Sequence, residues 1–278
     1  MAIRVGINGF GRIGRYFTRM ALKNNEIEIV GINDLTDTAT LAHLFKYDSV
    51  HRKFDGSVEI DGDQMILNGQ SIKMTAFKNP ADIPWGDLNV DVVLESTGIF
   101  RTEELASLHL KAGAKKVVLS APPKSENIPS VVMGVHEHIL TGSEKIISNA
   151  SCTTNSAAPL VKVMKTLGII ENAYITTIHS YTSDQKLHDA PHADLRRARA
   201  AAESIVPTTT GAAKAITKIF PEMDGHIGGC GIRVPVPDGS ITDMTFIMDH
   251  DLTVYEVNAA FKKASEGDLK GILNYETD

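Results

Sequence analysis

The sequence predicts an α/β protein in which a doubly wound parallel sheet over residues 1–150 precedes an α+β domain with a mainly antiparallel sheet over residues 151–278. Two observations support this. The N-terminal part alternates short apolar runs with segments of helical periodicity, as β–α–β units do, and a glycine-rich turn joins its first two elements. After Asn149, long strand-like segments occur with few strand–turn–helix units, which indicates a second domain.

The first domain is predicted from a regular series of elements. Helices are expected over 12–24 and 102–113, with Thr102 as the cap of the second. Asp61-Gly62 and Asn68-Gly69 suit tight hairpin turns, so an antiparallel meander is expected around them. The runs predicted as strands are 3–8, 27–33, 57–60, 64–67, 71–77, 90–95, 116–119, 131–135 and 145–148.

The second domain begins with a predicted helix over 153–167, which ends at Gly168. A strand is expected over 174–180, because apolar and polar residues alternate there, and another is expected over 240–248. A final helix is expected over 254–264.

Composition limits the class of protein. The formal net charge is −6, so no overall basic field favours nucleic acid. No apolar run approaches the roughly 20 residues that a membrane-spanning helix needs, and the N-terminus lacks a signal peptide's apolar core. The two cysteines lie too far apart in sequence for a metal-ligand pair, and we expect free thiols, no metal and a cytoplasmic protein.

The glycine-rich turn predicts a dinucleotide site of the Rossmann type. Gly9, Gly11 and Gly14 follow a predicted strand and open a predicted helix, and Asp34 ends the next strand. Glycine lets the backbone approach a pyrophosphate, and the helix N-terminus offers free N–H groups. Asp34 can accept hydrogen bonds from ribose hydroxyls and would repel a 2′-phosphate, which favours NAD over NADP. The alternative is an ordinary strand–helix turn.

Cys152 is the candidate nucleophile of the second domain. It lies at the predicted start of a helix, among residues that commonly cap helices, where free N–H groups favour a thiolate. The alternative is a small buried hydrophobic residue. His179 ends a predicted strand and could act as its base, but the sequence contains 10 histidines and spacing alone does not select one.

Six motifs occur along the chain in a defined order. They are Asn8–Arg15, Ala150–Asn155, His179–Thr182, Asp194–Arg199, Thr209–Lys214 and Arg233–Pro235. Together they resemble the phosphorylating, NAD-dependent glyceraldehyde-3-phosphate dehydrogenase family, and the resemblance extends from residue 1 to residue 278. The family is an oxidoreductase family of glycolysis.

The resemblance implies both a reaction and its residues. Cys152 attacks the aldehyde of D-glyceraldehyde 3-phosphate while His179 takes the thiol proton. The thiohemiacetal gives a hydride to NAD, and inorganic phosphate converts the resulting thioester to 1,3-bisphosphoglycerate. Thr182 and Arg233 are implied for the substrate's phosphate. The residues implied for inorganic phosphate are Ser151, Thr153, Arg197, Thr210 and Gly211.

The resemblance also implies a cofactor site and an assembly. Leu35 and Pro191 occupy positions where NAD-specific members resemble this chain. A homotetramer is implied, with residues 181–202 resembling the family's intersubunit loop. The residues implied for cofactor binding, beyond the three glycines, are Arg12, Ile13, Asp34, Lys78 and Ser120.

The family's chain continues beyond the position that Asp278 matches, and that part includes an asparagine that orients the nicotinamide. We therefore expect a C-terminally truncated member, with an incomplete second domain. Two alternatives stay open. One is an erythrose-4-phosphate dehydrogenase, which resembles this chain less at Thr182 and at Thr210-Gly211. The other is a non-catalytic NAD-binding protein, if the chain ends at Asp278.

Overall fold

A computed structural model of the protein describes residues 1–278, which divide into two units. The first unit contains Met1–Ser130 and Leu140–Ala150. The second contains Val131–Ile139 and Ser151–Asp278. The second unit has one four-stranded sheet, whereas the first has an eight-stranded sheet and a separate two-stranded sheet in which Tyr47–Asp48 pairs with Arg52–Lys53.

The first unit forms a doubly wound sheet of eight strands in the order β10-β9-β8-β1-β2-β7-β6-β5. Its elements in chain order are β1 (Ile3–Asn8), α1 (Arg12–Ala21), β2 (Ile27–Asn33), α2 (Thr38–Lys46), β3 (Tyr47–Asp48), β4 (Arg52–Lys53), β5 (Val58–Asp61), β6 (Gln64–Leu67), β7 (Gln70–Thr75), β8 (Val92–Glu95), α3 (Glu103–Lys111), β9 (Lys116–Leu119) and β10 (Ile146–Ser148). The six strands from β10 to β7 are parallel, and β6 and β5 continue the sheet in antiparallel pairing. The predicted Rossmann-type sheet and its meander are confirmed.

Burial explains why the parallel strands are continuous apolar runs. Ile7 in β1 and Ile32 in β2 have no exposed surface, and Phe45 of α2 packs into the same cluster. Burying such a side chain contributes about 1.5–3 kcal/mol. Helix α2 was not predicted from the sequence. Asp37 caps it by accepting a hydrogen bond from Thr40 N.

The strand predicted over residues 131–135 is wrong. These residues form turns, in which Val135 N and His136 N both donate to Val132 O at 3.2 Å. Val131 and Val132 are buried, so the apolar residues of this run pack into the interior although the run does not pair in a sheet. Helix α1 is also shorter than predicted, since it ends at Ala21.

The second unit combines a four-stranded sheet, in the order β12-β13-β11-β14, with three helices. Its elements are α4 (Cys152–Met164), β11 (Ile170–Ser180), β12 (Val206–Thr208), α5 (Ala212–Ile219), β13 (Ile227–Val234), β14 (Ser240–Met248) and α6 (Val254–Glu266). Pairing is mainly antiparallel, as predicted, but β11 and β13 are parallel. None of the helices in the protein combines the length and apolar character needed to cross a membrane.

Candidate active site

Cys152 is the first residue of α4, and it is accessible to solvent although neighbouring groups partly bury its thiol. Ser151 is the N-cap, and its hydroxyl accepts a hydrogen bond from Thr154 N at 3.0 Å. The Thr154 hydroxyl lies 2.6 Å from the same oxygen, and Thr153 is buried behind the cysteine. The cap begins the helix at Cys152, so the positive end of the helix dipole lies at the thiol.

His179, which spacing alone did not distinguish from the other histidines and which the family resemblance implied as the base, lies beside Cys152. Its Nε2 is 3.2 Å from Cys152 Sγ. The hydrogen bond with His179 lowers the pKa of Cys152 to about 7, against the opposing effect of burial. The same bond raises the pKa of His179. The two shifts agree, because each group stabilises the charged form of the other.

Two groups reach the other ring nitrogen of His179. Nδ1 lies 2.7 Å from Ser180 O and 2.7 Å from Arg233 Nη1, which itself donates to Ser180 O at 2.9 Å. A carbonyl oxygen requires N–H on Nδ1, whereas a guanidinium requires a lone pair there. Strands β11 and β13 are parallel neighbours, and their register pairs His179 with Arg233. Ser180 O therefore favours the form of the ring with a proton on Nδ1, whereas Arg233 favours the form without one.

Arg197 forms a second cationic centre in a short 3-10 turn. Its Nε donates to Thr208 Oγ1 at 2.9 Å, and its Nη1 donates to Asp184 Oδ2 at 2.8 Å. Nη2 reaches Thr209 O at 3.4 Å, and Thr208 also donates to Asp194. No local pattern assigned a role to Asp184, Asp194 or Thr208, because their role depends on contacts between the loop and β12.

The remaining predicted anion-binding residues of this unit lie at turns. The Thr210 hydroxyl accepts from Ala212 N at 3.2 Å, and Gly211 is the N-cap of α5 without a side-chain cap. Thr182 follows β11, and its N–H donates to Gln185 Oε1 at 3.4 Å. Polar contacts join Cys152 to His179 and His179 to Arg233, whereas the hydrogen bonds of Thr182 and Thr210 are made within their own turns.

The first unit contains a cavity of about 360 Å³ at the carboxyl ends of its central strands. This is where ligands bind in open α/β sheets. Its lining residues are Asn8, Gly9, Gly11, Asn33, Asp34, Leu35, Phe77, Lys78, Ser96, Thr97, Ile99 and Phe100.

The glycine turn at this cavity fits a dinucleotide. Helix α1 has no side-chain cap and no acidic residue in its first turn, so its N–H groups stay available to an anion. A Cβ at Gly11 would project into open space, with no heavy atom within 4 Å. A Cβ at Gly14 would lie 2.3 Å from Gly9 O, so only glycine allows the helix to pack against the turn.

The predicted cofactor residues are only partly brought together. Asp34 and Lys78 line the cavity, and Asp34 accepts from Phe10 N at 2.8 Å through Oδ2 and from Thr36 N at 3.0 Å through Oδ1. Arg12 and Ile13 lie exposed in the first turn of α1, where Arg12 pairs with Asp48. Ser120 follows β9, and its N–H donates to Glu95 O.

Comparison with known families assigns both parts of the chain. The family model for "Glyceraldehyde 3-phosphate dehydrogenase, NAD binding domain" matches residues 3–103. The model for "Glyceraldehyde 3-phosphate dehydrogenase, C-terminal domain" matches residues 151–278. The two matches appear in the order of the two units.

Similar proteins extend over nearly the whole chain. Glyceraldehyde-3-phosphate dehydrogenase of Geobacillus stearothermophilus is 54% identical, across 99% of this chain and 82% of the relative. The enzyme of that name from Streptomyces coelicolor is 53% identical, across 100% of this chain and 83% of the relative. The predicted C-terminal truncation stays a prediction. The chain belongs to the glyceraldehyde-3-phosphate dehydrogenase family of NAD-dependent oxidoreductases.

Proposed function

We propose that this protein catalyses the phosphorylating oxidation of D-glyceraldehyde 3-phosphate to 1,3-bisphosphoglycerate, with NAD and inorganic phosphate, as a step of glycolysis. The observation that carries the proposal is the 3.2 Å contact between Cys152 Sγ and His179 Nε2 at the start of α4. A thiol with its pKa lowered to about 7 is a soft nucleophile that is substantially ionised at neutral pH.

In the first half of the reaction, Cys152 and His179 divide the work. Sγ forms a bond to the aldehyde carbon, while the thiol proton moves to Nε2 and is then returned to the aldehyde oxygen. His179 removes that proton again as the carbon–hydrogen bond breaks and the thioester carbonyl forms. Ser180 O accepts from Nδ1–H, which leaves the Nε2 lone pair free to act as base. NAD, when bound, supplies the acceptor for the hydride.

In the second half, Cys152 acts as a leaving group. Inorganic phosphate forms a bond to the thioester carbon, and the bond from that carbon to Sγ breaks. The thiolate that leaves is stabilised by protonated His179 and by the N-terminus of α4. The same features that make Cys152 a good nucleophile therefore also speed its release.

Two arginines divide the recognition of anions. Arg233 and Thr182 hold the phosphate of the substrate, and contact with it draws Arg233 away from Nδ1 of His179. Arg197 holds inorganic phosphate, for which Asp184 keeps its guanidinium in place. The other residues that we assign to the inorganic phosphate site are Ser151, Thr153, Thr210 and Gly211.

Separate alanine variants test this division. Arg233→Ala is expected to raise the KM for D-glyceraldehyde 3-phosphate by about tenfold or more, because a charge-assisted hydrogen bond is lost. Arg197→Ala is expected to raise the KM for inorganic phosphate by a similar factor. Arg199→Ala is the control, since Arg199 lies in the same loop and pairs only with Asp189. Steady-state kinetics with one substrate varied at a time measures each effect, and an exchange of the two effects would contradict the assignment.

Substrate comparison tests the function itself. NADH formation is expected to be faster with D-glyceraldehyde 3-phosphate than with erythrose 4-phosphate at equal concentration, and to require inorganic phosphate. A preference for the four-carbon aldehyde would favour an erythrose-4-phosphate dehydrogenase. NAD binding without turnover of either aldehyde would favour a non-catalytic protein.

We also propose the roles of the two domains, the cofactor-binding residues and the assembly state. Residues 1–150 form the NAD-binding domain, and residues 151–278 form the catalytic domain. In the first, Gly9, Gly11, Gly14 and Asp34 bind the cofactor, together with Arg12, Ile13, Lys78 and Ser120. The protein acts as a homotetramer in the cytoplasm, with residues 181–202 at a subunit contact.

A further inference from the structure

Three polar side chains end three neighbouring strands beneath the NAD cavity. Asn8 ends β1, and it lies opposite Asn33 of β2 on one side and Glu95 of β8 on the other. Their exposed fractions are 3%, 3% and 2%. Burying a polar group lowers the stability of a fold unless the group is hydrogen-bonded, so the partners of these three side chains determine whether the cluster is tolerated.

Glu95 is the acceptor at the centre of the cluster. Its Oε2 accepts from Asn8 Nδ2 at 2.7 Å and contacts His109 Nε2 at 3.0 Å. Its Oε1 accepts from the backbone N–H of Thr97 at 2.8 Å and from the Thr97 hydroxyl. Four donors therefore converge on the two oxygens of one buried carboxyl group.

The direction of each hydrogen bond follows from the partners. Trp85 Nε1 can only donate, and it lies 3.0 Å from His109 Nδ1, so the ring proton of neutral His109 is on Nε2 and points at Glu95. On the other side, Asn33 Nδ2 donates to Asn8 Oδ1 at 2.9 Å, which turns the Asn8 amide toward Glu95 as a donor. Both oxygens of Glu95 face donors, so a glutamine at position 95 would place its NH₂ group against a donor in either orientation of its amide.

The network reaches the cavity through the segment that Glu95 holds. Thr97, Asn8 and Asn33 all line the cavity, whereas Glu95, His109 and Trp85 lie behind it. The preceding residue, Ser96, donates from its hydroxyl to Gly9 O at 2.7 Å. The carboxylate thus fixes Ser96 and Thr97 against the glycine turn without itself reaching a ligand.

We propose that Glu95 is a positioning residue of the NAD site, which holds the wall formed by Ser96 and Thr97 in the shape that the dinucleotide requires. The proposal depends on NAD binding and not on the aldehyde chemistry. Its role is distinct from that of a stabilising core residue, because two of its hydrogen-bonding partners, Asn8 and Thr97, themselves line the cavity.

Two variants separate positioning from general stability. Glu95→Gln keeps the size of the side chain but turns one acceptor into a donor. Trp85→Phe removes the donor at the far end of the network and leaves all four hydrogen bonds of Glu95 in place. Both are expected to lower Tm, since each leaves a buried polar group without a partner.

NAD binding is measured by titration calorimetry well below both Tm values, because Trp85 is the only tryptophan and its loss removes the fluorescence signal. Glu95→Gln is expected to raise the Kd for NAD about tenfold or more, the effect of losing a hydrogen bond to a charged group. Trp85→Phe is expected to leave the Kd within about twofold. In kinetics, the KM for NAD should follow the Kd while kcat at saturating NAD changes little.

An unchanged Kd in Glu95→Gln would overturn the proposal, and so would an equal rise in both variants. Should Glu95→Gln fail to fold, Thr97→Val provides the test, since it removes the hydroxyl donor to Glu95 at nearly constant volume. Its Kd is expected to rise by about threefold or more, and an unchanged value would again overturn the proposal. If the unmodified protein and all three variants lacked aldehyde turnover but showed the expected Kd values for NAD, the result would contradict the proposed reaction and not the role of Glu95.

Discussion

Replacement of Cys152 by serine is expected to lower kcat by about 10⁴-fold or more, while the Kd for NAD stays within about twofold. A hydroxyl is far less acidic than a thiol, so His179 cannot generate an equivalent anion at neutral pH. Serine would also be a poor leaving group in the phosphate step. NADH formation measures kcat, and calorimetry measures NAD binding in the first unit.

Cys230→Ser is the matched control for this variant. Cys230 is the second free cysteine, and its Sγ lies 3.9 Å from Thr176 Oγ1, with no histidine as partner. Its loss is expected to leave kcat within about twofold. Activity retained in Cys152→Ser, or lost equally in both variants, would contradict the assignment of the nucleophile.

Replacement of His179 by asparagine is expected to lower kcat/KM by roughly 10²–10⁴-fold, the usual contribution of general acid–base catalysis. The same change should raise the pKa of Cys152 from about 7 toward the ordinary value of about 8.5. The sign follows from the cause, because the hydrogen bond with His179 stabilises the thiolate and burial opposes it. At pH 7 the thiolate fraction should fall from about half to a few per cent.

Alkylation by iodoacetate over a range of pH measures this shift apart from turnover. The midpoint of the reaction at Cys152 is expected to move upward by about 1.5 pH units in His179→Asn. His226→Asn is the control, since His226 is exposed and its Nδ1 contacts Glu171 O. An unshifted midpoint in His179→Asn would mean that His179 does not ionise the thiol, whatever the effect on turnover.

Local sequence accounts for much of this protein. The apolar runs of β1 and β2, the glycine turn between β1 and α1, and the capping residues at Thr102 and Ser151 all depend on neighbours within a few positions. Such features follow from backbone sterics, helix capping and side-chain periodicity, which a single sequence displays. The Rossmann-type class and the placement of Cys152 at a helix N-terminus could therefore be predicted.

Tertiary structure decided which distant residues act together. Spacing alone did not identify a base among the 10 histidines, whereas in the structure β11 and the start of α4 bring Nε2 of His179 to Cys152. Tertiary structure also placed Arg233 across from His179 by a parallel pairing that a predicted antiparallel sheet did not suggest. The network around Glu95 and the turns over residues 131–135 were equally invisible in the sequence. Contacts between residues far apart in the chain depend on strand order and register, and a local pattern contains neither.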